Sequence, residues 1–333
     1  MIRYKDRLIL GVDTGNYNMK TAAKCFTSGY TELLGPGSQY SDVLKYEGKH
    51  YALCETRVPK RDDKSVNNDF LILTLFAIAK ELTQHNIKSG SHNIVLAAGL
   101  PPAHLEIEHL KQNMKDYYTR QAAFTYNGCK YRLDIGKVYV CPQGFAALLS
   151  NRLTDDMELL AAQNKLLGDA RPIDILAKEP LAVLVDIGGG TVDPIVLRYG
   201  VPQPFDLDDP PDGIIKSYTR VAKAVKAKTG KNIDEATINM VLGGENVRIS
   251  ENETALIHEY MERYAERLFL QLSEKGLPFS NSYTLLVGGG SKIVRSYWSG
   301  KDVFAKLDYI GDVKASAEGY EAMALRALMK AGS

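Results

Sequence analysis

Three stretches of the chain share one pattern, an apolar run of strand length that ends in a small, polar, glycine-rich turn. Leu181 to Leu197 reads LAVLVDIGGGTVDPIVL. Val183, Leu184 and Val185 form the continuous apolar run expected of a strand covered on both faces. Asp186 then stands at the strand's end, over Gly188, Gly189, Gly190 and Thr191, and a second strand leaves the turn. Leu8 to Val12 (LILGV) runs in the same way into Asp13, Thr14, Gly15, Asn16, Tyr17, Asn18, Met19 and Lys20. Tyr283 to Val287 (YTLLV) runs into Gly288, Gly289, Gly290, Ser291 and Lys292; it lacks an acid and opens a helical pattern.

Between these stretches, periodicity places further elements. Short strands are expected at Thr21 to Phe26, Tyr30 to Leu34, Val43 to Tyr46 and His50 to Cys54, with a hairpin turn at Glu47, Gly48 and Lys49. Phe70 to Ala79 (FLILTLFAIA) is too short to span a bilayer and suits a buried helix, continuing to Leu82 with Asp69 as its N-cap. A parallel strand at Ile94 to Ala98 follows, which gives an α/β layout. Val138 to Cys141 reads as a strand, and Pro142 suits the first turn of a helix from Gly144 to Leu153. Helices are then expected at Asp155 to Leu167, Ile214 to Lys228, Asp234 to Leu242, Glu253 to Ser273 and Ala315 to Ala331. The last carries a stripe of Ala317, Tyr320, Met323, Ala324, Ala327, Leu328 and Ala331. A mostly alanine stripe suits packing on a core better than insertion into a membrane surface.

The 333 residues, 45% of them hydrophobic, suffice for two domains. Forty-one basic and 40 acidic residues leave a net charge of +1, so no global field favours direct nucleic-acid binding. Cys25, Cys54, Cys129 and Cys141 have neither C-x-x-C pairing nor a histidine at zinc spacing, and read as reduced thiols of a cytoplasmic protein. Asp13 cuts the N-terminal apolar run too short for a signal peptide.

Candidate chemistry sits in the turns. Glycine-rich hairpins let main-chain N–H groups approach an anion, because no Cβ blocks the way. Lys20 is a point charge suited to phosphate oxygens. Gly213 precedes a helix whose first N–H groups could face phosphate, and the turn at Gly288 offers glycine backbone with a helix N-terminus. None of the turns fits G-x-x-x-x-G-K-[ST] or G-x-G-x-x-G. His104 and His109 in HLEIEHL miss the offset needed for a zinc pair, and Asp206, Asp208, Asp209 and Asp212 lie in a Pro- and Gly-rich surface turn.

In this order, the turns resemble the phosphate hairpins and adenosine loop of the actin and sugar-kinase ATPase superfamily, closest to bacterial ParM/StbA-type plasmid segregation proteins. Asn93 to Pro102 (NIVLAAGLPP) and Ala123 to Leu149 carry the narrower likeness. The resemblance implies an actin-like, duplicated ribonuclease H-like α/β fold with two domains around a nucleotide cleft. Domain I would span 1–142, with the helix 317–333 packing back on it, and domain II would span 143–316. It implies that Asp13 and Asp186 hold Mg²⁺ through its waters, with Gln143, Asp186 and Asp13 as the catalytic set. Gln143 stands where ParM-like proteins carry Glu, so it would orient water by hydrogen bonding rather than act as a base. Thr14, Gly15, Asn16, Asn18, Lys20, Gly188, Gly189, Gly190, Thr191, Gly213, Gly288, Gly289, Gly290 and Lys292 would bind ATP or GTP. Partners implied are the protein itself, head to tail in a filament, and a DNA-binding adaptor, with no direct nucleic acid and no membrane. A PilM-like or FtsA-like adaptor that binds nucleotide without turnover is the main alternative, ahead of a small-molecule kinase.

Overall fold

The chain, seen in a computed structural model, is described at residues 1–331 except 37, 38, 62, 151–170, 206, 208, 299, 301 and 302. The helix expected at Asp155 to Leu167 lies outside the described residues. Two compact units are formed, one from Met1–Arg152 with Val313–Ser333 and the other from Leu153–Asp312. The first contains β1 (Ile2–Tyr4), β2 (Arg7–Thr14), β3 (Asn18–Lys20), β4 (Cys25–Thr27), β5 (Tyr30–Leu33), β6 (Val43–Tyr46) and β7 (Lys49–Leu53). It continues through α1 (Asp69–Gln84), β8 (Gly90–Leu100), α2 (Pro102–Leu105), α3 (Glu108–Tyr118), β9 (Arg120–Tyr126) and β10 (Cys129–Pro142). The second contains α4 (Pro172–Leu176), β11 (Ala182–Ile187), β12 (Val192–Arg198), β13 (Val201–Gln203) and α5 (Ile214–Thr229). Then follow α6 (Glu235–Leu242), α7 (Glu251–Glu274), β14 (Tyr283–Val287), α8 (Ser291–Tyr297) and β15 (Lys306–Tyr309). Helix α9 (Ala315–Ala331) returns to the first unit.

In the first unit the strand order is β4-β3-β2-β8-β10-β9-β6-β7-β5, with β1 paired to β2. Its centre is the parallel trio β2, β8 and β10. Alternation along β2 explains how both faces are covered. Leu8, Leu10 and Val12 join the core under α1, whereas Ile9 joins Val95, Ala97, Tyr320, Ala324 and Leu328 under α9. Helix α9 lies unusually close to the strands. A Cβ at Gly11 would stand 1.9 Å from the Ala317 carbonyl oxygen, and one at Gly319 would stand 1.7 Å from that of Ala146.

The segment after β10 differs from expectation. Pro142 ends the strand opposite Leu100, and Gln143 donates its N–H to the Leu100 carbonyl at 2.8 Å. Gly144 turns the chain at φ 73°, so the expected helix cannot begin there, and among the described residues of that segment a 3₁₀ turn forms at Phe145–Leu149. Ala146 and Ala147 of that turn are buried, Ala146 in the cluster under α9, and the first unit therefore runs beyond Pro142.

A buried ionic cluster ties α1 to α9. The Met1 ammonium lies 3.0 Å from Glu81 Oε1 and 2.8 Å from Glu321 Oε1, and the Gly11 N–H donates to Glu321 Oε1. Burial pushes the Glu321 carboxyl up to about 7, against the pull of the ammonium. A carboxyl whose folded pKa is raised favours the folded state below its unfolded value near 4.5, and that contribution is lost as pH rises through about 7. Thermal melts are therefore expected to show stability falling between about pH 5 and pH 7.5, a slope that Glu321→Gln flattens.

The second unit has a five-stranded sheet, β13-β12-β11-β14-β15, in which β11, β14 and β15 are parallel. Every residue of β11 and of β14 is buried, as the unbroken apolar runs require. Helices α5 and α7 supply the core over it, through Val221, Val225, Ile257, Met261, Leu268 and their neighbours.

Candidate functional site

Each unit holds a cluster of the residues singled out in the sequence. In the first, β2 brings Asp13 to the carboxyl ends of the parallel strands, where ligands of open α/β sheets bind. Asp13 is 6% exposed and stands opposite Lys20 in the β2–β3 ladder, with Lys20 Nζ 2.8 Å from its Oδ2. Glycine is required at position 15, because a Cβ there would meet the Asn18 carbonyl oxygen at 2.6 Å. Thr14 is buried, Asn18 opens β3, and Asn16 Oδ1 is buried with no hydrogen-bond partner among the described residues. An orphaned acceptor in a tight polar turn fits a site that takes a cation or a hydrated ligand. Gln143, half-buried, leaves the end of β10, two strands from β2.

In the second unit, Asp186 is the penultimate residue of β11 and 5% exposed. The Gly188 N–H donates to the Thr191 carbonyl at 3.0 Å to close the turn, and Thr191 Oγ1 donates to Asp193. The third glycine run meets the same aspartate, since β14 pairs in parallel with β11 and sets Val287 beside Asp186. Gly288 has φ 87°, and a Cβ there would stand 2.3 Å from Asp186 Oδ1. The absent side chain lets the Gly288 backbone pack directly against the carboxylate. Gly289 has open space above it, and Lys292 is exposed in the first turn of α8.

The helix-terminus reading of Gly213 is corrected. The N–H groups of Gly213, Ile214 and Ile215 donate to the carbonyls of Gly190, Gly188 and Gly189 at 3.0–3.1 Å. Three of the four donors that the start of α5 would offer to an anion are thus spent on the glycine turn. Gly213 is needed for close approach, as its Cβ would lie 2.6 Å from the Gly188 and Gly189 oxygens. The third run is partly closed in the same way, because Gly290 and Ser291 donate to Ile187 and Gly288.

Comparison with known proteins fits this geometry. Residues 11–145 match a family model described as the N-terminal domain of actin-like proteins. The archaeal actin homolog Ta0583 superposes with a TM-score of 0.68 at 18% identity, covering 96% of this chain and 99% of its own. The fold is actin-like. Within that fold the neighbours include Bacillus thuringiensis ParM with ATP, at TM-score 0.63 and 13% identity over 98% of this chain and 100% of its own. They also include the Alp12 filament structure, at TM-score 0.63 and 15% identity over 97% and 100%. No curated protein matches the sequence. The actin-like resemblance read from the glycine turns and the ParM-type neighbours therefore agree.

One residue beside the first turn was not legible in the sequence. Lys64 donates to the Thr14 carbonyl, inside the first turn, and its ammonium lies 5.0 Å above the Phe70 ring. Burial lowers its pKa to about 8, with Asp13 opposing and Lys20 reinforcing the shift. It comes from the segment between β7 and α1, where Arg57, Lys60, Arg61 and Lys64 are mixed with Glu55, Asp62 and Asp63 and form no motif. Among the described residues no group of three metal-ligating side chains occurs.

Proposed function

We propose that the protein is a nucleoside triphosphatase that assembles head to tail into filaments and turns them over by hydrolysing ATP or GTP. The observation that carries this reading is the repetition of one device in both units, an aspartate at the carboxyl end of a buried central strand beside a glycine turn. Neighbours of the same fold include ParM with ATP and the Alp12 filament, which supports nucleotide use and self-association.

On this reading the two half-sites act on one triphosphate. Asp13 and Asp186 would hold Mg²⁺ through its waters, which suits a cation that dehydrates reluctantly. When bound, the ion offsets charge on the phosphate oxygens. Lys20, Thr14, Asn16 and Asn18 would seat one face of the phosphates, and the Gly189, Gly190 and Thr191 amides the other. Gly288, Gly289, Gly290 and Lys292 would flank the nucleoside. Gln143 has no carboxylate to accept a proton, so its amide would orient the attacking water. Loss of the terminal phosphate removes contacts made by both half-sites and shifts their equilibrium. Joined head to tail, subunits form open filaments whose stability follows that shift. Plasmid segregation in the cytoplasm, through a DNA-binding adaptor, is the role we assign to such a filament.

Light scattering and negative-stain microscopy with ATP, with GTP and without nucleotide test the proposal. Nucleotide-dependent filaments are expected. Nucleotide binding without any rise in scattering well above micromolar concentration would instead favour a non-polymerising adaptor. Gln143→Ala is expected to slow single-turnover hydrolysis about tenfold while leaving nucleotide affinity within about threefold, as loss of a water-orienting contact predicts. An unchanged rate would remove Gln143 from the site.

A further inference from the structure

The first glycine turn carries more positive charge than the sequence pattern assigns to it. Lys20 is held 2.8 Å from Asp13 Oδ2, so that pair is electrically neutral. A site built from the pair alone would present no net charge to a polyanion. Lys64 is placed differently, because the group it touches is a neutral main-chain carbonyl, that of Thr14. Asp63 beside it is occupied elsewhere, accepting from Ser65 N and Oγ and from Asn113 Nδ2.

The surrounding segment is strapped across the same turn. The Arg57 guanidinium stacks 4.5 Å over the ring of Tyr17, which lies in the turn itself. Val58 donates to the Ser28 carbonyl at 2.9 Å, while Ser28 donates through its hydroxyl to the Gly15 carbonyl at 2.6 Å and through its N–H to that of Tyr17 at 3.0 Å. These contacts hold Arg57 and Val58 on the turn, and Lys64, six residues after Val58, reaches the same turn through the Thr14 carbonyl. Withdrawing an ammonium from water merely to cap one carbonyl is costly, and a neutral donor would do that work without the cost. An ammonium carries three donors, of which the carbonyl takes one.

We propose that Lys64 is a second phosphate-binding lysine, reaching from the strap over the β2–β3 turn to donate to a phosphate oxygen seated there. This rests on the triphosphate reading above and deepens it. Lys64 supplies the net positive charge of the first half-site, and Lys20 orients Asp13.

The test measures binding of AMPPNP, GMPPNP and the parent nucleosides to the full chain by calorimetry. Lys64→Gln keeps a donor for the Thr14 carbonyl and removes the charge, and Lys64→Arg keeps the charge. For whichever triphosphate analogue the wild type prefers, Lys64→Gln is expected to weaken affinity about 10- to 100-fold, the range of one charge-assisted hydrogen bond. Lys64→Arg should stay within about fivefold of wild type, and nucleoside affinity should be unchanged in both. Melting temperatures without nucleotide separate binding from folding. Equal analogue affinity in wild type and Lys64→Gln overturns the inference and leaves the triphosphatase reading standing. A proportional loss of nucleoside and analogue affinity with a lower melting temperature assigns Lys64 a structural role and overturns it as well. A wild type that binds neither analogue removes the triphosphatase reading and the inference together.

Discussion

Asp186→Ala is expected to retain nucleotide binding while single-turnover hydrolysis falls at least about 100-fold, the scale on which preorganised electrostatic groups act. The carboxylate is 5% exposed, so its position is fixed by the strand rather than by solvent. Glycine at position 288 lets the third turn pack directly against it, since a Cβ there would stand 2.3 Å from Asp186 Oδ1. Binding should survive because the glycine amides and the first half-site remain. Filaments of the variant are expected to form and to persist after triphosphate is exhausted. Quenched-flow hydrolysis and scattering decay measure both outcomes, and wild-type turnover would take Asp186 out of the reaction.

The second large effect is on folding. Gly319 lies inside α9, where glycine is intrinsically about 1 kcal/mol worse than alanine, so propensity alone predicts that Gly319→Ala stabilises. Packing predicts the opposite. The new Cβ would stand 1.7 Å from the Ala146 carbonyl oxygen, which is backbone and cannot swing aside. We expect a net loss of about 3 kcal/mol or more, read as a fall in the urea midpoint, with the exposed Arg326→Ala as a near-neutral control.

What the sequence disclosed follows from how local each feature is. Strands β2, β11 and β14 were legible because burial on both faces imposes continuous apolar runs, and the aspartates and glycines at their ends are adjacent in the chain. Of the strand expected at Thr21 to Phe26, Cys25 and Phe26 alone are extended, in β4, while Thr21 to Lys24 form the turn that links it to β3. Thr21 Oγ1 donates to Glu81, 60 residues away, and accepts the N–H of Lys24, while the Ala23 N–H reaches Glu81 as well. These side-chain bonds draw the backbone out of the ladder, and no propensity encodes a distant partner. The N-cap of α1 shifts for a similar reason. Asp69 accepts from Tyr30 and from Asn67, so it opens the helix as its first residue and Asn68 takes the cap position. The donors at the start of α5 were misjudged because their acceptors, Gly188 to Gly190, lie more than 20 residues earlier. Lys64 was missed because its only signature is charge, and its meaning comes from Thr14 across the fold.

The return of α9 to the first unit has a consequence for synthesis. Residues 153–312 are continuous in the chain, whereas the sheet centred on β2 needs a helix that is translated after them. On the ribosome the second unit is therefore complete while the face of β2 carrying Ile9 is still uncovered, which exposes nascent chains to chaperone capture until α9 emerges.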